Sequence, residues 1–232
     1  MITVRPADER GRGWHGWLDS RHSFSFADYY DPEHMGFRNL RVINEDWIAG
    51  GAGFPLHPHR DMEILTWVVE GGVTHKDTEG NEGTIRADEL QRMTAGKGIF
   101  HSEVNASPAE TLHLLQIWIL PHTRRLEPGY AEGRFPAAQR MGRLAPLVTA
   151  DGRDGSVTMS ADATLMIGAI DGAPLEHALA AGRGAWLQVI HGDIDVNGTR
   201  LGTGDGAAVL DERALRITGP AGAEFLLFDL GS

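Results

Sequence analysis

Short apolar runs separated by glycine-containing turns recur along the whole chain, and this pattern restricts the fold more than any other feature. Examples are MEILTWVVEG, TLHLLQIWILP, AWLQVIHGDIDVNG and EFLLFDL. The runs are rich in β-branched and aromatic residues and are too short for core helices. The chain has 30 glycines, spread widely between the runs, as expected for many strands joined by turns. The sequence therefore predicts an all-β protein with few short helices.

Two turns can be assigned from their residues. Asn197 and Gly198 in DIDVNGTRL predict a two-residue hairpin, because both residue types tolerate positive φ. Gly80 and Asn81 in DTEGNEGTI predict a second hairpin, with a weaker signal.

Residues 121–146, PHTRRLEPGYAEGRFPAAQRMGRLAP, interrupt the pattern and indicate a surface linker with a short helix near 137–143.

The flanking halves resemble each other weakly: TWVVEGGVTHKD parallels LQVIHGDIDVNG, and TIRADELQRMTAG parallels RLGTGDGAAVLDE. This similarity is consistent with a duplicated β-barrel. We expect two jelly-roll-like barrels packed together. The N-terminal barrel would span 1–125, the linker 126–145 and the C-terminal barrel 146–232.

Charge and composition exclude several classes of function. The formal net charge is −11, from 21 basic and 32 acidic residues, so binding of nucleic acid through a basic face is disfavoured. The chain has no cysteine, which excludes disulfide scaffolds, thiolate metal sites and thiol catalysis. The N-terminal residues MITVRPADERGRGWHG form no apolar signal segment, and no run is long enough to span a membrane. We expect a cytoplasmic protein with no membrane or direct nucleic-acid partner.

The histidine pair in FPLHPHRDMEIL is the first candidate for chemistry. Residues two apart point to the same face of a strand, so His57 and His59 would aim their rings together. Pro58 between them forbids helix and favours an extended backbone. Two neighbouring imidazoles form half of a transition-metal site.

A second pair with the same spacing, His101 and Glu103, occurs in TAGKGIFHSEVN. If the two strands face each other, His57, His59, His101 and Glu103 converge as four metal ligands. Four protein ligands would leave about two open positions on a six-coordinate ion. A lone His-x-His in a chain with 11 histidines carries little weight, but the two pairs together are far more specific.

These residues fit the two signatures of the cupin superfamily. The first signature is matched, with one extra residue before its last glycine, by Gly51, His57, His59, Glu63 and Gly71. The second is matched by Gly98, His101 and Asn105, with Gly96 where a proline often stands.

The chain resembles the pirin family more closely, over essentially its whole length. The matching segments are HGWLDSRHSFSFADYYDPEHMGFRNLRVIN, HPHRDMEILTWVVEGGVTHKD, GNEG, TAGKGIFHSE, LHLLQIWI and LLFDL. The resemblance implies a bicupin whose metal lies in the N-terminal barrel. The C-terminal half has neither His-x-His nor His-x-Glu at the corresponding places, so we expect no metal there.

The resemblance also implies an activity like that of quercetin 2,3-dioxygenase. Such an enzyme cleaves a flavonol with O₂ and releases carbon monoxide, and Glu103 would be both a metal ligand and the catalytic base. Fe(II) is the first expectation for the divalent metal, with nickel, manganese, cobalt and copper as alternatives. Two other functions stay open. One is a redox-sensitive, metal-binding regulatory protein acting through protein partners, and the other is a cupin enzyme of a different reaction type.

Several further residues have more than one interpretation. Glu63 would point inward, and a hydrogen-bonded structural role is favoured over metal ligation. His22 is interpreted as a packed core histidine rather than a pocket residue, and His75 as an exposed residue of a polar hairpin. Gln116 would either orient a substrate or bond a backbone group. The chain is expected to be a monomer or a small homo-oligomer.

Overall fold

The structure, a computed structural model, describes residues 1–231 and is built almost entirely from β-strands. Its helical segments are a single α-helical turn, α1 (Ala137–Arg140), and two 3-10 turns, Ala7–Glu9 and Arg153–Gly155. Within the described residues, no helix has the length and apolar character needed to cross a lipid bilayer. The predicted all-β class is confirmed.

Twelve strands precede the helix. They are β1 (Ile2–Arg5), β2 (Gly11–Trp14), β3 (Leu18–His22), β4 (Leu40–Ile48), β5 (Gly53–His59), β6 (Glu63–Glu70), β7 (Gly72–Asp77), β8 (Glu82–Arg86), β9 (Glu89–Thr94), β10 (Ile99–Asn105), β11 (Leu112–Ile119) and β12 (Gly129–Arg134). Strands β2 to β12 form a seven-stranded sheet in the order β12-β9-β6-β11-β4-β3-β2 and a four-stranded sheet in the order β5-β10-β7-β8.

Ten strands follow the helix. They are β13 (Arg143–Thr149), β14 (Val157–Thr158), β15 (Ala163–Ala169), β16 (Leu175–Ala178), β17 (Gly184–His191), β18 (Ile194–Val196), β19 (Thr199–Leu201), β20 (Gly206–Val209), β21 (Ala214–Thr218) and β22 (Glu224–Leu230). Together with β1 they form a seven-stranded sheet, β1-β20-β17-β22-β15-β13-β14, and a four-stranded sheet, β16-β21-β18-β19. The two halves thus repeat one architecture, although neither pair of sheets closes into a continuously hydrogen-bonded barrel.

The predicted hairpin at Asn197 and Gly198 is confirmed. The two residues join β18 to β19 with φ values of 49° and 86°. Positive φ at both central positions is the geometry of a type I′ turn, which suits the twist of antiparallel strands.

Two segments depart from the predicted division at residues 125 and 145. Strand β1 pairs with β20 of the second half, from Ile2 opposite Val209 to Arg5 opposite Gly206. Strand β12 lies in the predicted linker and pairs with β9 of the first half. Each strand covers the edge of a sheet, and pairing satisfies edge N–H and C=O groups that would otherwise face solvent. The linker is therefore shorter than expected, and the N-terminus ties the two halves together.

The largest apolar cluster lies between the halves and draws on both seven-stranded sheets. It includes Leu65, Trp67 and Ile117 from the first, and Leu165 and Phe228 from the second. Burial of one sheet face against the other is what two packed jelly-roll units require.

The interiors of the two halves differ. The second half encloses one continuous apolar cluster contributed by both of its sheets, including Leu187, Phe225 and Ile217. The first half has two small apolar clusters, one around Val68 and Leu114 and the other around Ile64 and Met93. Buried polar residues lie elsewhere in this interior, and they form the candidate site.

Candidate metal centre and cavity

His57 and His59 lie on β5, the edge strand of the four-stranded sheet. Pro55 and Pro58 keep this strand extended, and they are tolerated because an edge strand lacks a partner on one side. The two imidazoles are half-buried and their ring centroids are 4.8 Å apart. The two rings therefore lie on the same face of the strand, as predicted.

The neighbouring strand β10 brings the third histidine to this pair. His101 lies directly opposite His57 in the antiparallel ladder, and a register shift follows between His101 and Glu103. The His101 ring lies 4.4 Å from that of His57 and 4.9 Å from that of His59, measured between centroids. Each of the three rings offers one nitrogen, and these nitrogens all lie within 4.8 Å of one another.

Hydrogen bonding leaves ring nitrogens of this cluster free to bind an ion. His57 Nδ1 lies 2.7 Å from the carbonyl oxygen of Pro55. Because a carbonyl only accepts, Nδ1 carries the proton and Nε2 presents its lone pair. His101 Nε2 is buried and has no hydrogen-bond partner among residues 1–231. A buried, unpaired imidazole nitrogen is costly unless something binds it, so the donor set fits a divalent metal.

Burial keeps the two inner rings neutral. Burial, together with the nearby His57 and His75 rings, lowers the pKa of His101 to about 3. Burial, together with the nearby His101 and His57 rings, lowers the pKa of His59 to about 4. Neutral imidazole is the form that binds metals.

Glu103 lies beside the three histidines but belongs to a different set of potential metal ligands. Its carboxylate forms a second set of potential ligands with His75 and His101, again within 4.8 Å. His101 is common to both sets. The four-ligand set of His57, His59, His101 and Glu103 therefore stays a prediction.

Three side chains hold the Glu103 carboxylate in place. Gln91 Nε2 donates to Oε1 at 2.8 Å, and Thr66 Oγ1 donates to the same oxygen at 3.2 Å. Gln116 Nε2 donates to Oε2 at 2.7 Å. Gln116 thus orients a carboxylate, a role that the sequence analysis did not assign to it.

The residues around Glu103 belong to a polar row that crosses the seven-stranded sheet. Its members are direct neighbours on adjacent strands: His22 on β3, Asn44 on β4, Gln116 on β11, Thr66 on β6 and Gln91 on β9. Sequence reasoning missed most of this row. The available signal was a polar residue at alternate positions of an otherwise apolar strand.

The prediction that His75 is exposed was wrong. Its side chain is fully buried, with Nε2 3.0 Å from Asp77 Oδ2 and Nδ1 3.4 Å from His101 Nδ1. The ring of Tyr130, on β12, stacks on it at 4.7 Å. His75 has the same strand parity as the buried Val73, and this signal would have placed it inside.

Two other predicted roles can be compared with the structure. Glu63 is fully buried and accepts a 2.8 Å hydrogen bond from Thr94, and it belongs to neither set of potential ligands. His22 is buried, with Nδ1 2.7 Å from Asn44 Oδ1, and also lines the cavity described next. Both interpretations of His22 therefore hold at once.

A cavity of about 430 Å³ opens beside the histidines. Two aromatic pairs line it. Trp17 packs edge-to-face against Phe54, and Phe26 packs edge-to-face against Trp118. The ring centroids are 5.3 Å apart in both pairs. Each pair packs against one histidine. The ring centroid of Phe54 lies 6.3 Å from that of His57, and the ring centroid of Trp118 lies 4.9 Å from that of His59. The cavity thus joins an aromatic wall to the imidazole cluster and to Glu103.

Comparison with known proteins covers both halves of the chain. The family model described as Pirin matches residues 3–119, and the one described as Quercetinase C-terminal cupin domain matches residues 147–230. The quercetin 2,3-dioxygenase of Escherichia coli K12 is 49% identical over 99% of both chains. A putative quercetin 2,3-dioxygenase of Pseudomonas aeruginosa is 47% identical over 99% of this chain and 100% of its own length.

A solved structure described as bacterial pirin YhhW in complex with nickel(II), from Escherichia coli, superposes with a TM-score of 0.95. The two sequences are 48% identical, and the match covers 100% of this chain and 99% of the other. The likeness therefore extends through both sheet pairs.

Proposed function

The chain belongs to the pirin family, and from that premise we propose that it is a metal-dependent dioxygenase resembling quercetin 2,3-dioxygenase. The reaction is cleavage of a flavonol by O₂ with release of carbon monoxide. One observation carries the proposal: the imidazoles of His57 and His59 and the buried carboxylate of Glu103 line an aromatic cavity of small-molecule size, and the His101 ring adjoins the two imidazoles.

His57, His59, His101 and Glu103 are the proposed metal ligands. Fe(II) is the first choice, and nickel, manganese, cobalt and copper suit the same nitrogen and oxygen donors. The nickel complex of the Escherichia coli relative supports a divalent transition metal. When bound, the metal supplies a Lewis acid that acidifies a hydroxyl group of the substrate.

Glu103 is the proposed base. Its carboxylate lines the cavity, and its three hydrogen bonds use two acceptor positions of Oε1 and one of Oε2. Oε2 therefore keeps one acceptor position, which the ligand role and the base role of Glu103 would share. In this step the O–H bond of the flavonol breaks and an O–H bond forms on the carboxyl group. Because Gln91 and Gln116 fix the carboxylate, little reorganisation accompanies the transfer.

The aromatic walls would orient the substrate. Flavonols are flat aromatic molecules, and edge-to-face contacts with Trp17, Phe26, Phe54 or Trp118 suit such rings. A volume of about 430 Å³ lies within the usual range of small-molecule pockets. Packing against these walls would also exclude water from the reacting centre.

The same cavity helps to distinguish the alternative functions. A regulatory metal-binding protein needs the ligands but no substrate cavity, so an aromatic-lined cavity beside the imidazoles favours an enzyme. A cupin enzyme of another reaction type would share both features and is separated by the reaction products.

Oxygen uptake tests the proposal. Protein reconstituted with each candidate metal is mixed with quercetin, while flavonol absorbance and carbon monoxide are followed together. Metal-dependent loss of quercetin and O₂ with release of carbon monoxide is the expected result. If metal occupancy is confirmed and no candidate metal supports oxygen uptake, the proposal is overturned and a regulatory role takes its place. Quercetin loss without carbon monoxide would point to another cupin reaction.

A further inference from the structure

The cavity has a second polar region on strands that carry none of the proposed ligands. It consists of Ser20 and His22 on β3 and Asn44 and Asp46 on β4, and all four side chains line the cavity. We name these residues the β3–β4 polar cluster. The dioxygenase chemistry proposed above uses none of them.

Asp46 is the member of this cluster with an unused polar atom. Its side chain is 2% exposed, and its Oδ1 accepts a hydrogen bond from Ser20 Oγ. Its Oδ2 has no hydrogen-bond partner within residues 1–231 and is not fully enclosed by protein atoms, and the Asp46 side chain lines the cavity. Oδ2 therefore faces the cavity.

Among residues 1–231, this carboxyl group has no compensating cation. Within the described part of the chain, no lysine, arginine or histidine lies within ion-pair distance of Asp46. Burial, together with the nearby carboxylates of Glu103 and Glu45, raises its pKa to about 7. Glu45, on the opposite face of β4, has Arg10 and His113 as partners instead.

Packing alone does not account for an acid at this position. A buried carboxyl group without a counter-charge costs stability that a similar apolar side chain would not. Such costs are typical of functional sites. The adjoining aromatic residues suit a flat ligand, and such a ligand would carry its polar groups on its rings.

We propose that Asp46 selects the substrate, accepting a hydrogen bond at Oδ2 from a phenolic hydroxyl remote from the 3-hydroxyl of the flavonol. This inference rests on the proposed function and adds to it a preference for polyhydroxylated over unsubstituted rings. Ser20 is a positioning residue in this arrangement, because its hydroxyl fixes Oδ1.

Binding of two flavonols to metal-loaded protein without O₂ tests this proposal. Quercetin carries ring hydroxyls beyond the 3-hydroxyl, whereas 3-hydroxyflavone carries only that one. Wild type should bind quercetin about tenfold more tightly or better, the effect of one hydrogen bond to a buried oxygen that is otherwise unpaired. Asp46→Leu should reduce the ratio of the two dissociation constants to near one while leaving that of 3-hydroxyflavone unchanged.

Two further variants complete the experiment. Asp46→Asn keeps the volume and the Ser20 bond but replaces Oδ2 by an amide donor, so the ratio should fall here too, even if Asp46→Leu does not fold. Asp19→Asn, a carboxylate on β3 paired with Arg12 and Arg21, is the matched control and should keep the wild-type ratio. An equal loss of affinity for both flavonols, or an unchanged ratio in the Asp46 variants, would overturn the assignment.

Different results would contradict the dioxygenase proposal and the Asp46 assignment. If wild type discriminates between the flavonols through Asp46 but consumes no O₂, the dioxygenase proposal falls and the binding role of Asp46 stands. If quercetin is oxidised and the Asp46 variants keep the wild-type ratio, only the Asp46 assignment falls. If wild type binds neither flavonol, both fall.

Discussion

His57 and His101 stand directly opposite each other on neighbouring antiparallel strands, with ring centroids 4.4 Å apart. The ladder between β5 and β10 sets this separation, and Glu103 follows after a shift in register. The imidazole cluster is thus a property of strand pairing as much as of the individual residues.

Loss of either histidine should remove the metal and leave the protein folded. His57→Ala and His101→Ala each delete one proposed ligand, and metal affinity should fall about 100-fold or more. Metal content after reconstitution and dialysis is measured together with the melting temperature. His191→Ala is the control, because His191 is exposed on the second half. Full occupancy in both site variants would refute the ligand assignment.

Replacement of Glu103 by Gln should separate metal binding from turnover. The amide keeps the shape of the side chain but is a far weaker base, so quercetin turnover should drop about 100-fold or more while much of the metal stays bound. Glu63→Gln, a second buried acid outside both ligand sets, should keep both metal and turnover. Undiminished turnover in Glu103→Gln would remove Glu103 as the base.

Metal-free protein should lose stability as the pH falls from about 6.5 to about 3. His101 has a folded pKa of about 3, whereas an unfolded histidine titrates near about 6.5. Between these values the unfolded chain binds a proton that the folded chain does not, so the free energy of unfolding decreases with decreasing pH. His59, with a folded pKa of about 4, acts in the same direction.

Chemical denaturation of metal-free protein at pH 7 and pH 5 measures this effect. His101→Gln should show a smaller difference between the two pH values than wild type, and His191→Gln should match wild type. An equal difference in His101→Gln would show that the buried ring is not the source.

Trp186→Ala should destabilise the interface between the halves. The indole is buried in the shared core and its ring lies 4.7 Å from Phe24 of the first half. Removing so large a buried side chain should cost about 3–5 kcal/mol in free energy of unfolding. Trp14→Ala, at a residue 61% exposed, should change it by less than about 0.5 kcal/mol. Similar values for the two variants would contradict this account of the shared core.

The features that depend on local pattern could be predicted from the amino-acid sequence. Alternation and glycine spacing predicted the all-β class, and Asn197-Gly198 predicted its turn through backbone freedom alone. The i, i+2 spacing of His57 and His59 predicted that their rings share a face, because strand parity is a local property. The family signatures pointed to the same residues.

Contacts between residues far apart in the chain could not be predicted in this way. The pairing of β1 with β20, the burial of His75 and the polar row that holds Glu103 all depend on the register between strands far apart in the chain. Register is set by the packing of whole sheets, and a single strand carries little information about its partner. Asp46 shows the same limit. Its alternation with Asn44 places both on one face, but the cavity that this face borders comes from β3, β5, β10 and β11 as well.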